Sequence, residues 1–385
     1  MIIAILGRQP RIGLAELESL YGAVHVSPLG DHAATINAEV EPARLGSVLK
    51  IAKPLQELAF TDWRKITRHI IDSLPEHLAN LPEGKVKIGL SAYGLPVTAQ
   101  HLFRTGLEIK KAARADKRSV RVVPSNDTAV NSAQVLHNGL TGELGMELLF
   151  IRHGNKTTIA QTSWVQDIDD YARRDYGRPR RDAFVGMLPP KLAQTMLNLA
   201  QVRPGEQVLD PFCGTGVVLQ EAALLGCPVY GTDASEKMVR YTRDNLHWLD
   251  EIYLRRTQPY LEVLDAASAT WRAPLEHIVC ETYLGQPLSG LPKPDKLAEI
   301  IRDCDTIISK FLKNVHPQLQ PNTRHTIAVP AWRANSTFKH LPLLDRLEAL
   351  GYNRVRFTHA PTEGDLLYHR EDQIVARELL VLTVK

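Results

Sequence analysis

The stretch that most constrains this chain is Gln207-Val-Leu-Asp210-Pro-Phe-Cys-Gly214-Thr-Gly216. An apolar strand ends in an acid, and a glycine-rich turn then opens an apolar helix expected over Val217 to Gly226. A helix that starts this way offers unpaired backbone N–H groups and positive potential to whatever approaches the turn. Glycine there lets a ligand come close to the backbone. The spacing is not G-x-G-x-x-G, because no third glycine follows Gly216 in register, and a dinucleotide site is therefore disfavoured. A second strand candidate ends Tyr230-Gly-Thr-Asp233, where an acid can hydrogen-bond ribose hydroxyls. A third ends Val263-Leu-Asp265-Ala266, where a carboxylate can accept from an exocyclic amine. Asp210, Asp233 and Asp265 would together ring one nucleoside at the carboxyl edge of a sheet.

The surrounding texture suits that reading. Strand candidates fall at 206–210, 228–232, 260–264, 276–280, 324–329, 353–358 and 378–384. Helices are expected between the first five and before the sixth, the pattern of an open parallel sheet. The last two strands read as an antiparallel hairpin near one edge.

The first half reads differently. Residues 2–6, 24–26, 33–37 and 56–60 read as strands. Helices are expected over 10–22 and over 42–52, the latter with Pro42 in its first turn. That order is the split βαβ, ferredoxin-like pattern. A second unit begins near Asp62. Trp63, Ile66, Ile70 and Leu74 share a helix face, Val86, Ile88 and Leu90 alternate as in a strand, and Thr98 to Asp116 reads as a helix. In that helix Leu102, Phe103, Gly106 and Ala113 are expected inward, and Arg104, Lys111, Arg114 and Arg118 on one outer face. A strand at 119–123, a helix over 128–139 and a hairpin turning at His153-Gly-Asn-Lys156 complete the unit. Residues 165–185, polar and Arg-rich, read as a linker. The expected domains are thus 1–61, 62–164, a linker over 165–185, and 186–385.

Composition bounds the partners. With 385 residues, two or three domains are expected. The chain has no apolar run long enough for a membrane helix. Met1-Ile-Ile-Ala-Ile-Leu-Gly lacks the basic start of a signal peptide and reads as a buried strand. Cys213, Cys227, Cys280 and Cys304 show no C-x-x-C spacing, which argues for reduced thiols in a cytoplasmic protein and against a zinc site. The net charge of +3 is unevenly spread. Residues 104–121 hold seven Arg and Lys against Glu108 and Asp116. Residues 171–181 hold Arg173, Arg174, Arg178, Arg180 and Arg181 against Asp175. Clustered cations of this kind point to a polyanion, with nucleic acid first in line.

Asp210-Pro-Phe-Cys-Gly-Thr-Gly216 resembles the first motif of class I S-adenosylmethionine-dependent methyltransferases, in the version used by amino-methylating enzymes. The resemblance implies a Rossmann-like domain with a seven-stranded mixed sheet. It also implies S-adenosyl-L-methionine held by Asp210, Phe212, Cys213, Gly214, Thr215, Gly216, Asp233, Ala234, Asp265 and Ala266. That family ends its fourth strand in Asn/Asp-Pro-Pro-Tyr/Phe. Here His277-Ile-Val-Cys280 runs into Glu281-Thr-Tyr283-Leu-Gly285, so Glu281 takes the acid's place and Tyr283 offers a stacking ring one position early. Cys280 reads as a core cysteine. Gly186-Met-Leu-Pro-Pro-Lys191-Leu-Ala resembles the segment that precedes the first strand.

Residues 60–165, carried by Val86-Lys-Ile-Gly-Leu-Ser-Ala, Gly106-Leu-Glu-Ile-Lys-Lys-Ala and Val120-Arg-Val-Val-Pro124, resemble a THUMP domain, which binds structured RNA. The whole order is similar to the tRNA guanosine-10 N2-methyltransferases. The resemblance implies tRNA as partner, a small activator subunit as a further candidate, and Arg104, Lys111, Arg114, Arg118, Arg173, Arg174 and Arg178 as RNA contacts. Ribosomal RNA guanine, adenine N6, and a non-catalytic RNA-binding role stay open as alternatives. Tyr171-Ala-Arg-Arg-Asp-Tyr-Gly-Arg-Pro179 and Tyr368-His-Arg-Glu-Asp-Gln-Ile-Val-Ala-Arg377-Glu also look family-like.

Overall fold

The computed structural model describes residues 1–79, 81–182, 188–288, 290–334 and 337–384. The chain divides into two compact units. The first comprises Met1–Leu14, Tyr21–Ala43 and Ser47–Asp170, and the second Ala15–Leu20, Arg44–Gly46 and Tyr171–Lys385. Among the described residues no helix is long and apolar enough to cross a membrane.

In chain order the first part runs β1 (Ile2–Leu6), α1 (Pro10–Tyr21), β2 (Val26–Leu29), β3 (Ala33–Ile36), β4 (Val48–Leu58), α2 (Trp63–Ala79) and β5 (Lys85–Tyr93). It continues with α3 (Ala99–Ala115), β6 (Ser119–Val122), α4 (Ser132–Asn138), β7 (Gly145–His153) and β8 (Lys156–Val165). The strands form one sheet, in the order β2-β3-β1-β4-β8-β7-β5-β6. Residues 1–61 and 62–164, read from the sequence as separate units, therefore share a sheet. Their seam is β4 against β8, from Lys50↔Val165 to Leu58↔Thr157. Ile66, Ile70, Leu74, Leu102 and Ile109 carry the apolar faces of α2 and α3 into a common core with Val86, Ile88 and Phe150.

The helix expected over 42–52 is corrected. Only Pro42–Arg44 is helical, as a 3-10 turn, and Val48 already begins β4. Val48, Lys50 and Ala52 alternate in the strand and are all buried. The pairing available from β1 on one side and β8 on the other outweighs a local helical tendency. Lys50 is buried against Glu147, which also accepts from the hydroxyls of Ser91 and Thr162.

After β8 comes α5 (Ile168–Tyr176), a helix inside the stretch expected to be a linker. The second unit then runs α6 (Pro190–Leu199), β9 (Val208–Asp210), α7 (Val217–Leu225), β10 (Val229–Asp233), α8 (Glu236–Tyr253), β11 (Tyr260–Val263), β12 (His277–Glu281) and α9 (Pro294–Val315). It ends with β13 (His325–Ala334), β14 (Thr337–Lys339), β15 (Tyr352–Arg354), β16 (Leu367–Tyr368) and β17 (Val375–Val384).

The main sheet path is β11-β10-β9-β12-β13-β17-β15, with β14 and β16 beside it. The first five are parallel, and β17 is antiparallel to β13 and β15. No helix lies in the turn-rich stretch between β11 and β12, and only a 3-10 turn (Pro342–Arg346) precedes β15, which is shorter than expected. The chain winds from β9 outward to β11 and then returns to β12 on the other side of β9. This reversal opens a crevice beyond the carboxyl ends of β9 and β12.

Candidate active site

The reversal puts Asp210 and Glu281 at the ends of neighbouring strands. Register runs His277↔Val208 and Ile278↔Leu209, so both acids lie on the carboxyl side of the paired segment. A cleft of about 880 Å³ opens there, lined by the ends of β9, β10 and β12, the turn after β11, and Ile307 and Lys310 of α9.

The glycine turn is built by its neighbours. Gly214 and Gly216 have φ of 51° and 83°. A Cβ on Gly216 would meet Thr242 Cγ2 at 2.9 Å. Thr242 Oγ1 donates to the Gly214 carbonyl at 2.9 Å, and Asn245 Nδ2 to that of Thr215 at 2.8 Å, so α8 fixes the turn from behind. Asp233 ties the turn from the front, accepting from Gly214 N at 3.0 Å and from Ser235 N at 2.8 Å. Phe212 packs edge-on against Phe311, with ring centroids 5.0 Å apart.

Asp210 is only 2% exposed and accepts from Phe212 N at 3.1 Å. Burial pushes its carboxyl well above the ordinary range, and the charges of Asp233 and Glu281 push it further. Asp233 is also raised, by burial. Asp265 is exposed at the rim and accepts from Ala267 N at 2.9 Å, while Ala266 is buried beside it. Cys213 and Cys280 are buried, and burial holds both thiols well above their ordinary value, so neither is a nucleophile at neutral pH.

Glu281 ends β12 and is ion-paired with Arg377 of β17. Its side chain keeps 13% of its area exposed and lines the cleft. Thr282 is anchored through its N and Oγ1, both donating to the Ala328 carbonyl at 3.0 Å. That bond fixes the strand end and leaves the 39% exposed Tyr283 at the cleft wall. Gly285 turns the loop at φ 87°. Gly186 and Met187 of the segment before α6 lie outside the described residues.

The cationic residues separate into two groups. Arg104, Lys111 and Arg114 are exposed on α3. Arg118 lies beyond the end of α3 and donates to the carbonyls of Leu81 and Pro82 at 3.2 and 2.8 Å, so it is not on that helix face. Phe103 is 43% exposed, against the inward position expected for it. Arg173 is exposed. The expected RNA contacts of Arg174 and Arg178 are corrected, because they are 6% and 3% exposed. Arg174 Nε donates to Glu221 Oε1 at 2.7 Å, and its guanidinium lies 4.5 Å from the Tyr171 ring centroid. Arg180 likewise pairs with Asp244. Within the second basic cluster the fold thus buries Arg174 and Arg178 and leaves Arg173 and Arg180 at the surface, a division composition alone does not reveal.

Sequence reasoning missed Thr242, Asn245 and Arg377. The first two sit at helical spacing on α8 and carry no motif. Arg377 was noticed only as part of the Tyr368 to Glu378 stretch.

The sheet order, the reversal beside β9 and the acid-lined cleft define a class, the Rossmann-like fold of methyltransferases. Residues 178–250 match the family described as RMKL-like, methyltransferase domain. The tRNA (guanine(10)-N2)-dimethyltransferase of Methanothermobacter thermautotrophicus is 49% identical over 71 residues, 18% of this chain and 21% of that protein. The enzyme of the same name from Methanocaldococcus jannaschii is 40% identical over 93 residues, 23% of this chain and 26% of that protein. The tRNA (guanine(6)-N2)-methyltransferase of Thermus thermophilus is 49% identical over 65 residues, 16% of this chain and 19% of that protein. The chain thus spans about a fifth to a quarter of the length of these curated relatives. Over its whole length it shares a fold with TrmN from Thermus thermophilus (TM-score 0.56, 18% identity, 100% of this chain and 99% of that one). SMU.472, solved in complex with SAH, is similar in fold (TM-score 0.54, 13% identity, 100% and 98% covered).

Proposed function

We propose that this chain is an S-adenosylmethionine-dependent tRNA (guanine-N2) methyltransferase. The observation that carries the reading is the cleft in which the glycine turn, Asp233 and Asp265 converge on Glu281 across the sheet reversal. The names of the curated relatives support the substrate.

The residues fit the donor. Gly214 and Gly216 leave a cradle that a side chain would disturb. Asp233 offers carboxylate lone pairs to a ribose diol, and the outer oxygen of Asp265 offers one to an adenine amine. Phe212 and Ala266 give apolar surface for the ring. A cleft lined by acidic side chains suits a cationic sulfonium. When bound, S-adenosylmethionine supplies an electrophilic methyl carbon.

The protein's part is positioning and electrostatics. An exocyclic amine conjugated with its ring is a weak nucleophile. Glu281 accepts one of its N–H bonds, which turns the nitrogen lone pair toward the methyl carbon. Methyl transfer from a bound donor would leave the S–C electron pair with the sulfide product, and Glu281 would take the proton released by the amine and pass it to solvent. Tyr283 gives a ring at the cleft wall for the base to stack on, and burial raises its hydroxyl, which stays a neutral phenol. A base paired within a helix must leave its stack to reach this floor.

The first unit is read as a THUMP-containing RNA grip, with Arg104, Lys111 and Arg114 contacting phosphates. Such contacts set register and carry no sequence information. The test is transfer of labelled methyl to individual tRNA transcripts, with the modified nucleotide mapped, for the protein alone and with added cell extract. Label on guanine N2 supports the reading. Label requiring the extract points to an activator subunit. Label on adenine or on ribosomal RNA alone refutes the assignment.

A further inference from the structure

The pair between Glu281 and Arg377 joins residues 96 positions apart and crosses a strand. Glu281 is opposite Ala328 on β13, and Arg377 is opposite Pro330 on the same strand. Opposite residues share a face of the sheet, and 328 and 330 differ by one strand period, so all four lie on one face. The Arg377 side chain must therefore run over β13 to reach Glu281. Ala328 and Pro330 are short enough to let it pass. The neighbouring Glu378 points to the other face, where it pairs with Arg354 at 3.0 Å and with His340. Successive residues of β17 thus brace the sheet from both sides.

Arg377 lines no part of the cleft, and its side chain is 7% exposed. Its Nε donates to Glu281 Oε1. The other carboxylate oxygen is left for the cleft. From this geometry we infer that Arg377 is a positioning residue, which fixes one oxygen of Glu281 and aims the second at the acceptor amine. The inference deepens the methyltransferase reading and rests on it for its kinetic consequence.

The titratable and charged groups around Glu281 are few. Arg377 faces it from β17, Asp210 from the end of β9, and Cys280 lies beneath it on β12. Asp233 lies beyond Asp210, and Lys310 of α9 lines the same cleft. Burial raises the Glu281 carboxyl, and Arg377 opposes that rise. Among the described residues Arg377 is the one group that opposes the rise at Glu281, so removing it leaves burial unopposed.

Two readouts test this on the full-length protein. In the first, the 13C carboxyl signal of Glu281, assigned by its loss in Glu281→Gln, is titrated in wild type and in Arg377→Met. The midpoint is expected to move up by about one unit or more in the variant, as for a buried carboxyl that loses its cation. An unmoved midpoint overturns the inference whatever the activity. In the second, methyl transfer to tRNA is followed against pH. Arg377→Met is expected to lower kcat about a hundredfold near neutrality, the size of a lost orienting group. The donor KM should stay within about twofold. Activity should rise with pH, because more Glu281 ionises, and Arg377→Lys should recover about tenfold by restoring the charge. A loss equal at every pH, or one matched by lost donor affinity, is the mark of a merely damaged strand and overturns the inference. Wild-type protein that binds donor and labels no RNA would refute the functional reading instead, and the carboxyl titration would then decide the pair by itself.

Discussion

Gly216→Ala gives a direct probe of the donor cradle. Gly216 has φ 83°, where an alanine costs about 1–2 kcal/mol. The added Cβ would stand 2.9 Å from Thr242 Cγ2 and 3.0 Å from Thr242 Oγ1. Thr242 would have to turn away and give up its 2.9 Å bond to the Gly214 carbonyl, worth about 1 kcal/mol. The turn relieves both strains by opening, and donor binding must close it again. The combined ~2–3 kcal/mol then appears in the dissociation constant, as a loss of roughly 30- to 150-fold at 1.4 kcal/mol per tenfold. Calorimetry with S-adenosylhomocysteine reads this without any RNA. Gly226→Ala is the matched control. Gly226 also has a positive φ, 88°, but it caps the far end of α7, and its Cβ would find only Pro204 Cβ at 3.8 Å. That variant should lose thermal stability and keep its affinity within about twofold, since the strain lies away from the turn. Wild-type affinity in Gly216→Ala, or an equal loss in Gly226→Ala, would refute the argument.

Three further outcomes are expected. Lys50→Met strands the buried Glu147 charge and should cost about 3–5 kcal/mol, read as faster hydrogen exchange of β7 and β8 amides. Adding Glu147→Gln should restore about half or more of that protection, because no unpaired charge then remains; if the double variant exchanges faster than the single, the pair is not the cause. Asp210 is held above its ordinary value by burial first and by Asp233 and Glu281 second, so the folded protein binds a proton the unfolded chain releases. Stability of the donor-free protein should therefore fall as pH rises from about 4 through the raised value, and Asp210→Asn should flatten that fall in thermal unfolding; an unchanged slope counts against a protonated Asp210. Reversing Arg104, Lys111 and Arg114 to Glu should weaken tRNA binding and shrink the log-affinity against log-salt slope by about 2–3, and an unaltered slope would remove α3 from the RNA surface.

What local sequence decided is what depends on near neighbours. The Asp210 to Gly216 turn was readable because a strand, an acid and two glycines lie within ten residues and only one backbone path suits them. The strand-end acid Asp233 followed from the same logic, with Asp265 two residues past β11, and the faces of α2 and α3 followed from spacing along one helix except at Phe103 and Arg118. Tertiary structure decided the rest. Residues 48–52 carry a weak helical signal, and they are a strand because β1 and β8 supply hydrogen-bonding partners on both edges. Arg174 and Arg178 look like a surface cluster in a one-dimensional charge count, yet the fold buries both, and Arg174 meets Glu221, 47 residues away. Glu281 could be placed at a strand end from sequence, but its partner across β13 could not. Contacts at that separation are chosen by strand order and register, which arise when the whole sheet assembles and leave no periodicity in the chain.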